Sequence, residues 1–166
     1  MISVQRAFVF VKEYQTVVIN DTLRVVAIFE NSGSTLAIPL KNWINWKVFP
    51  NNTSSISANY PDFDAIGNPA VNSRADAVTT YLGPHSHQLS GVLVIPIPTI
   101  KLVESGNSRV FIWGWIEYND VFDGINQHRT EFCDELIVED INSIVIDDKK
   151  RHGVSFTNCR MHNSAK

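Results

Sequence analysis

Arg109-Val-Phe-Ile-Trp-Gly-Trp-Ile-Glu-Tyr118 is the stretch that decides the fold. Val110, Ile112, Gly114, Ile116 and Tyr118 alternate with Phe111, Trp113, Trp115 and Glu117. A period of two places each set on its own face of a β-strand, and β-branched and aromatic side chains suit a pleated surface. Both faces are apolar, so both need a cover. A second sheet supplies one, and the long 50–74 segment or another chain supplies the other. Asn119 to Asn126 then read as a loop, and Gln127 to Val138 as the antiparallel return strand.

Working outward, the same period recurs. Arg6 to Val11, extending toward Val18, reads as a first strand. Thr22 to Glu30 is a second, with Leu23, Val25, Ala27 and Phe29 on one face. Asn31-Ser-Gly-Ser-Thr35 has turn chemistry, because Asn and Gly tolerate positive φ and hydroxyls bond nearby backbone. Asn42 to Phe49 is a third strand, Ala75 to Leu82 a fourth, and Gln88 to Ile95 an apolar strand ending at Pro96 and Pro98, which cannot donate to a ladder. Ile141 to Ile146 and Val154 to Asn158 read as a final hairpin across Asp147 to Gly153. Helical periodicity is nearly absent, and so is βαβ spacing. The fold expected is all-β, an immunoglobulin-like antiparallel two-sheet sandwich of about seven to nine strands. Residues 1–166 form one domain, with a long connection rich in Asn, Ser and Pro over 50–74.

Composition narrows the function classes. The chain has 166 residues, with 14 Lys+Arg against 17 Asp+Glu for a net charge of −3, which gives no basic field for nucleic acid. At 44% hydrophobic and 19% charged it is not a disordered polyelectrolyte. No apolar run approaches the roughly 18 residues that cross a bilayer, and the opening Met1-Ile-Ser-Val-Gln-Arg6 lacks signal-peptide regions. A complete chain would then be cytoplasmic, an excised domain part of the cell envelope. Seven acids lie between 131 and 148, and five Lys and Arg between 149 and 166. These segments read as neighbouring strands whose charges offset each other. Cys133 and Cys159 could close a loop of about 25 residues worth roughly 3 kcal/mol, but two buried thiols acting as small hydrophobes are the expectation.

Four constellations could carry chemistry. His85-Ser-His87 would put two imidazoles on one face of a strand, a spacing that can share a metal. Asp120, Asp123 and His128 could add ligands, although the Asp120–His128 loop lacks the EF-hand register. Cys133 with His128 or His162 makes a poor nucleophile pair, since five residues along a strand point to opposite faces. The aromatic set, above all Trp113 and Trp115, could form a contact surface with Tyr60 and Phe63 of the long connection and with the His85/His87 corner.

Trp113-Gly-Trp-Ile-Glu-Tyr-Asn-Asp-Val-Phe122 followed by His128-Arg-Thr-Glu-Phe-Cys133 is similar to a G-x-I-x-Y-x-D-x-F-x-x-x-H-x-T-x-F-C signature found in a family of bacterial β-sandwich domains. Arg6-Ala-Phe-Val9 resembles that family's opening strand. Asn31-Ser-Gly-Ser-Thr-Leu-Ala37 resembles its turn, Leu82-Gly-Pro84 a later stretch, and His162-Asn-Ser-Ala165 its close. The likeness runs the length of the chain. Leu36 and Lys166 depart from it, standing where the family usually has Pro and Asp, and Asp123-Gly-Ile-Asn126 lengthens the loop. Relatives usually carry membrane-spanning segments ahead of this domain. The resemblance implies the fold and brings no activity with it.

The signature also has a plain physical reading. Gly114 permits close approach of a bulky neighbour. Tyr118 and Thr130 are expected to share hydroxyl bonding, and Asp120 to meet His128 across the hairpin, forming a satisfied polar network. The function expected is a non-catalytic interaction or ligand-binding module with no cofactor. Its partner would be a protein or small ligand, and the doubly apolar strands suggest a homodimer. A metal-binding or metal-dependent hydrolytic domain on Asp120, Asp123, His128 and His85/His87 is the alternative.

Overall fold

The structure, a computed structural model, describes residues 5–53, 78–122, 127–142, 153–159 and 163–165. The strands among them are β1 (Val9–Ile19), β2 (Thr22–Asn31), β3 (Ala37–Pro50), β4 (Val78–Leu82), β5 (His87–Leu89), β6 (Leu93–Pro96), β7 (Ser108–Tyr118), β8 (His128–Val138), β9 (Val154–Asn158) and β10 (Ser164–Ala165), with one helix, α1 (Ile97–Glu104). They form an antiparallel all-β sandwich of two sheets. In the smaller sheet β1 pairs with β2, and β5 and β6 lie end to end along the far side of β2. In the larger sheet the order runs β4-β3-β7-β8, and β9 and β10 share the far side of β8.

The alternation of β7 governs the packing. Val110, Ile112, Ile116 and Tyr118 are buried against the smaller sheet. At one end they meet Val9, Ala27 and Phe29, and at the other Leu23, Val25 and Ile95. Each such side chain contributes about 1.5–3 kcal/mol on burial. Gly114 sits between Ile44 on β3 and Phe132 on β8. A Cβ there would overlap the Trp43 carbonyl oxygen and approach Phe132 Cζ to 2.5 Å, so the ring occupies the space that glycine leaves.

Asn31 fixes the corner that the sequence marks as a turn. Its side chain is fully buried. Its Oδ1 accepts the Phe8 and Gly33 N–H groups at 3.2 and 3.0 Å. Its Nδ2 faces the carbonyls of Thr35, Leu82 and Gly83 at 2.8, 3.3 and 3.2 Å. One amide thus holds the entry to β1, the 31–35 turn and the exit of β4.

Several expectations are corrected. Gln88 to Ile95 is not one strand: Ser90 leaves the ladder, its N–H and Oγ bonding the Ala27 carbonyl and N–H, and the chain resumes as β6. The prolines expected only to end that strand instead open α1, with Pro96 as N-cap and Pro98 in the first turn, where a missing N–H costs nothing. Ile100 of α1 is fully buried and caps one end of the core. The expected final hairpin does not form as written, because β9 pairs with β8 and Ile141 and Asn142 are helical; residues 143–152 lie outside the described set. Among the described residues, two acids of β8 pair with arginines of the same sheet. Glu135 takes a bidentate pair from Arg109 at 2.7 Å, which also holds the guanidinium above its usual pKa, and Arg129 bridges Glu117 and Glu131. Lys149, Lys150, Arg151, Arg160 and Lys166 are outside the described residues.

Candidate binding groove and polar network

The polar network lies where β1 crosses the larger sheet. Val9 has both backbone groups turned away from β2, toward side chains of the opposite sheet. Its N–H donates to Tyr118 Oη at 3.2 Å, and its carbonyl accepts Thr130 Oγ1 at 2.7 Å. The Tyr118 hydroxyl donates to the Ala7 carbonyl at 3.4 Å, and burial raises the Tyr118 pKa. The two hydroxyls thus meet on the backbone of Val9, where they clamp the edge of one sheet onto the face of the other. Tyr118 stacks on His128 with ring centroids 5.3 Å apart. His128 Nε2 lies 3.4 Å from Asp120 Oδ2, longer than a good hydrogen bond, and Arg6 Nε is 3.7 Å from the same oxygen. Asp120 Oδ1 accepts the Phe122 N–H at 2.9 Å, as a turn carboxylate should.

The other proposed site residues are not gathered with this network. Trp113 and Trp115 are 2% and 5% exposed, so they do not form an open contact face. Trp113 packs with Phe111, Trp43, Phe49 and both cysteines, and the Arg129 guanidinium lies 5.2 Å from the Trp115 ring. The doubly apolar strand is thus closed on both sides. His85 and His87 do not share a strand. His85 occupies a tight turn after Pro84 with left-handed backbone (φ 51°), a conformation that is uncommon outside glycine, whereas His87 lies in β5. His87 Nε2 contacts Glu30 at 2.7 Å and Lys12 at 2.9 Å, and hydrogen bonds from Lys12, foremost, and from His87 hold the Glu30 carboxyl below its usual range. Among the described residues no three His, Cys, Asp or Glu side chains gather to hold a metal. Tyr60, Phe63 and Asp123 lie outside the described residues.

Cys133 and Cys159 are joined in a disulfide with Cα atoms 5.4 Å apart, not left as two buried thiols. Antiparallel pairing of β9 on β8 brings them together, and the Cys159 N–H donates to the Cys133 carbonyl at 2.9 Å. Asn163 completes the joint. Its Oδ1 accepts the Cys133 N–H, and its Nδ2 donates to the carbonyls of Cys133 and Cys159.

The larger sheet extends beyond the smaller one by the row of β9 and β10. This overhang creates a groove of about 540 Å³ beside β1. Phe10 to Tyr14 of β1 form one wall, Thr130, Glu131, Phe132 and Asp134 of β8 the base, and Phe156, Asn158, Asn163 and Ala165 the far side. A register shift between Val11 and Glu13 reverses the phase of β1, so Tyr14 points inward. Its hydroxyl donates to Asp134 Oδ2 at 2.5 Å, and its ring lies 4.4 Å from that of Phe156. Burial pushes the Tyr14 pKa well above its usual value, and the Asp134 charge adds to the shift. Burial also raises the Asp134 carboxyl, against the opposing effect of the Tyr14 hydrogen bond.

The sequence reading passed over this pair. The signal was Asp134 between Phe132 and Leu136, a carboxylate at an inward position of an alternating strand. Compared with known proteins, the chain matches no family model, no curated protein and no solved structure.

Proposed function

We propose that this domain is a non-catalytic interaction module that takes a short extended peptide segment in the groove between β1 and the β8–β10 face. The groove carries the reading. Its volume, about 540 Å³, falls within the roughly 300–1,000 Å³ range of ligand sites. Its lining also combines aromatic and aliphatic surface with amide groups that fix orientation. It runs along β1, the edge strand of its sheet among the described residues, so a peptide lying there meets main-chain groups as well as side-chain pockets. The likeness to bacterial β-sandwich domains fits a scaffold role. The polar residues of that signature serve to hold β1 in place, and His87 is engaged with Glu30 and Lys12.

The test is selection of binders from a displayed random peptide library on the intact domain, followed by titration against wild type and Asn158→Trp. Asn158 is exposed at the end of β9, so the indole fills the groove without entering the core. Selected peptides should lose at least about tenfold in affinity, or about 1.4 kcal/mol. They should also shift amide resonances of β1 and β9. Binders that ignore the variant would refute the reading.

A further inference from the structure

Of the three carboxylates on β8, only Asp134 lacks a cation among the described residues. Glu131 and Glu135, on the opposite face of the strand, are paired with Arg129 and Arg109. Asp134 lies at the base of the groove and is 7% exposed. Its Oδ2 is held by Tyr14. Its Oδ1 takes no bond from the described residues and is not sealed in the core, so it opens toward the groove. A buried carboxylate without a cation is costly, and burial raises its pKa accordingly. The other charges at the groove do not meet this need. Lys12 turns its ammonium to Glu30 at 2.6 Å and His87 at 2.9 Å. Glu13 adds a second carboxylate with no ion pair among the described residues. The groove is therefore acidic between the aromatic walls of Tyr14, Phe132 and Phe156, which suit the apolar stem of a long cationic side chain.

The edge of β1 adds main-chain groups in a fixed register. The Ala27 N–H and carbonyl both bond Ser90, on the side of β2 away from β1. Ala27 is the partner of Tyr14, so the Tyr14 backbone faces away from β2, as that of Val9 does. Thr16, two residues on, faces the same way. Val9 has its groups in the clamp. Among the described residues no strand pairs with Tyr14 and Thr16 on this side. A residue that exchanges main-chain bonds with Tyr14 stands directly opposite it, with its side chain on the same inward face. The sheets are about 10 Å apart, a depth that a lysine stem and an aspartate span together.

We propose, on the footing of the peptide reading above, that the bound segment adds a strand to β1 and carries a lysine opposite Tyr14, whose ammonium pairs with Asp134. Tyr14 already holds one carboxylate oxygen, which leaves a place for a point charge rather than for the two-pronged fork of a guanidinium. The added strand lies over the overhang of β9 and β10, so it also covers the part of the larger sheet that the smaller one leaves bare.

The peptides selected on the intact domain supply the test. Those weakened by Asn158→Trp should share a lysine. Replacing that lysine with norleucine should weaken binding to wild type at least about tenfold, and Asp134→Asn should weaken the lysine peptide by a similar factor. On Asp134→Asn the lysine and norleucine peptides should bind within about threefold of each other, because the pair is already broken. The amide protons of Tyr14 and Thr16 should gain protection from exchange when the lysine peptide binds. Peptides that respond to Asn158→Trp but share no lysine, that ignore Asp134→Asn, or that leave the Tyr14 amide unprotected would overturn this proposal while the peptide reading stands. A library without binders, or binders that ignore Asn158→Trp, would overturn both.

Discussion

Replacing Asn31 with aspartate changes one nitrogen to oxygen and keeps the side chain's shape, which isolates what the amide does. Oδ1 still accepts the Phe8 and Gly33 N–H groups. The second carboxylate oxygen now faces the three carbonyls of Thr35, Leu82 and Gly83, where Nδ2 had donated. At neutral pH at least two donated bonds are lost at about 1 kcal/mol each, and buried carbonyls left unpaired cost about 1–3 kcal/mol more. Burying the charge adds to this, so the variant should lose about 4 kcal/mol or more. For a chain of this size that corresponds to a melting temperature lower by about 8–16 °C.

The loss should depend on pH. Burial and the facing carbonyls raise the folded-state pKa of the new carboxyl above its unfolded value of about 3.9. Its protonated form donates one bond, so the deficit should be smallest below pH ~4 and should grow as pH rises toward the folded pKa. Urea unfolding followed by tryptophan fluorescence at stepped pH values from about 4 to 8 measures both effects against wild type. A variant within about 1 kcal/mol of wild type at neutral pH, or a deficit that does not shrink on acidification, would refute the placement of Asn31 as the donor to those carbonyls.

Tyr118→Phe removes the acceptor of the Val9 N–H and should cost about 1–3 kcal/mol; Thr130→Val should cost a similar amount, and the double variant should cost less than the sum, because both hold the same residue. A double-mutant cycle in urea checks this, and strict additivity would contradict a shared clamp. Asp134 has a raised folded-state pKa, so its contribution to stability grows as pH falls through that pKa toward the unfolded value and is lost as pH rises. Asp134→Asn, which keeps an acceptor for Tyr14, should flatten the pH dependence of stability above pH ~4 without loss at neutral pH, as read from melts across that window. Cys133→Ala/Cys159→Ala opens a loop spanned by residues 26 apart and should lower stability by about 3.5 kcal/mol in the chain-entropy view. Unchanged unfolding midpoints in the double variant would contradict it.

The alternation of β7 was legible because a period of two has one structural meaning, and it carried the two-sheet fold with it. The hydroxyls of Tyr118 and Thr130 stood out as polar residues on an inward face, so a network was foreseen. Their true partner, the backbone of Val9, was not, because which strand crosses a face depends on how the sheets pack. Tyr14 escaped notice for a related reason: the register shift near Lys12 reverses the phase of β1, and simple counting along the strand puts it on the wrong side. Pro96 and Pro98 were read correctly as the end of a strand but not as the start of a helix, since a proline near a boundary serves either purpose. The spacing of Cys133 and Cys159 says nothing about distance until β9 is known to lie on β8. The Trp113 face was legible as apolar. Its burial was not, because alternation shows which side chains share a face and not what lies over it.

The clamp on Val9 also bears on how the chain is made. Its two locks lie 109 and 121 residues downstream. During synthesis β1 can pair with β2 almost at once, through a short turn. It cannot be fixed over the larger sheet until β7 has emerged and β8 has followed. Long-range closures of this kind come late in folding and leave strand edges exposed in the interval. β1 is therefore secured long after it is made, and the β1–β2 hairpin is where nascent chains are most open to wrong pairing or to a chaperone.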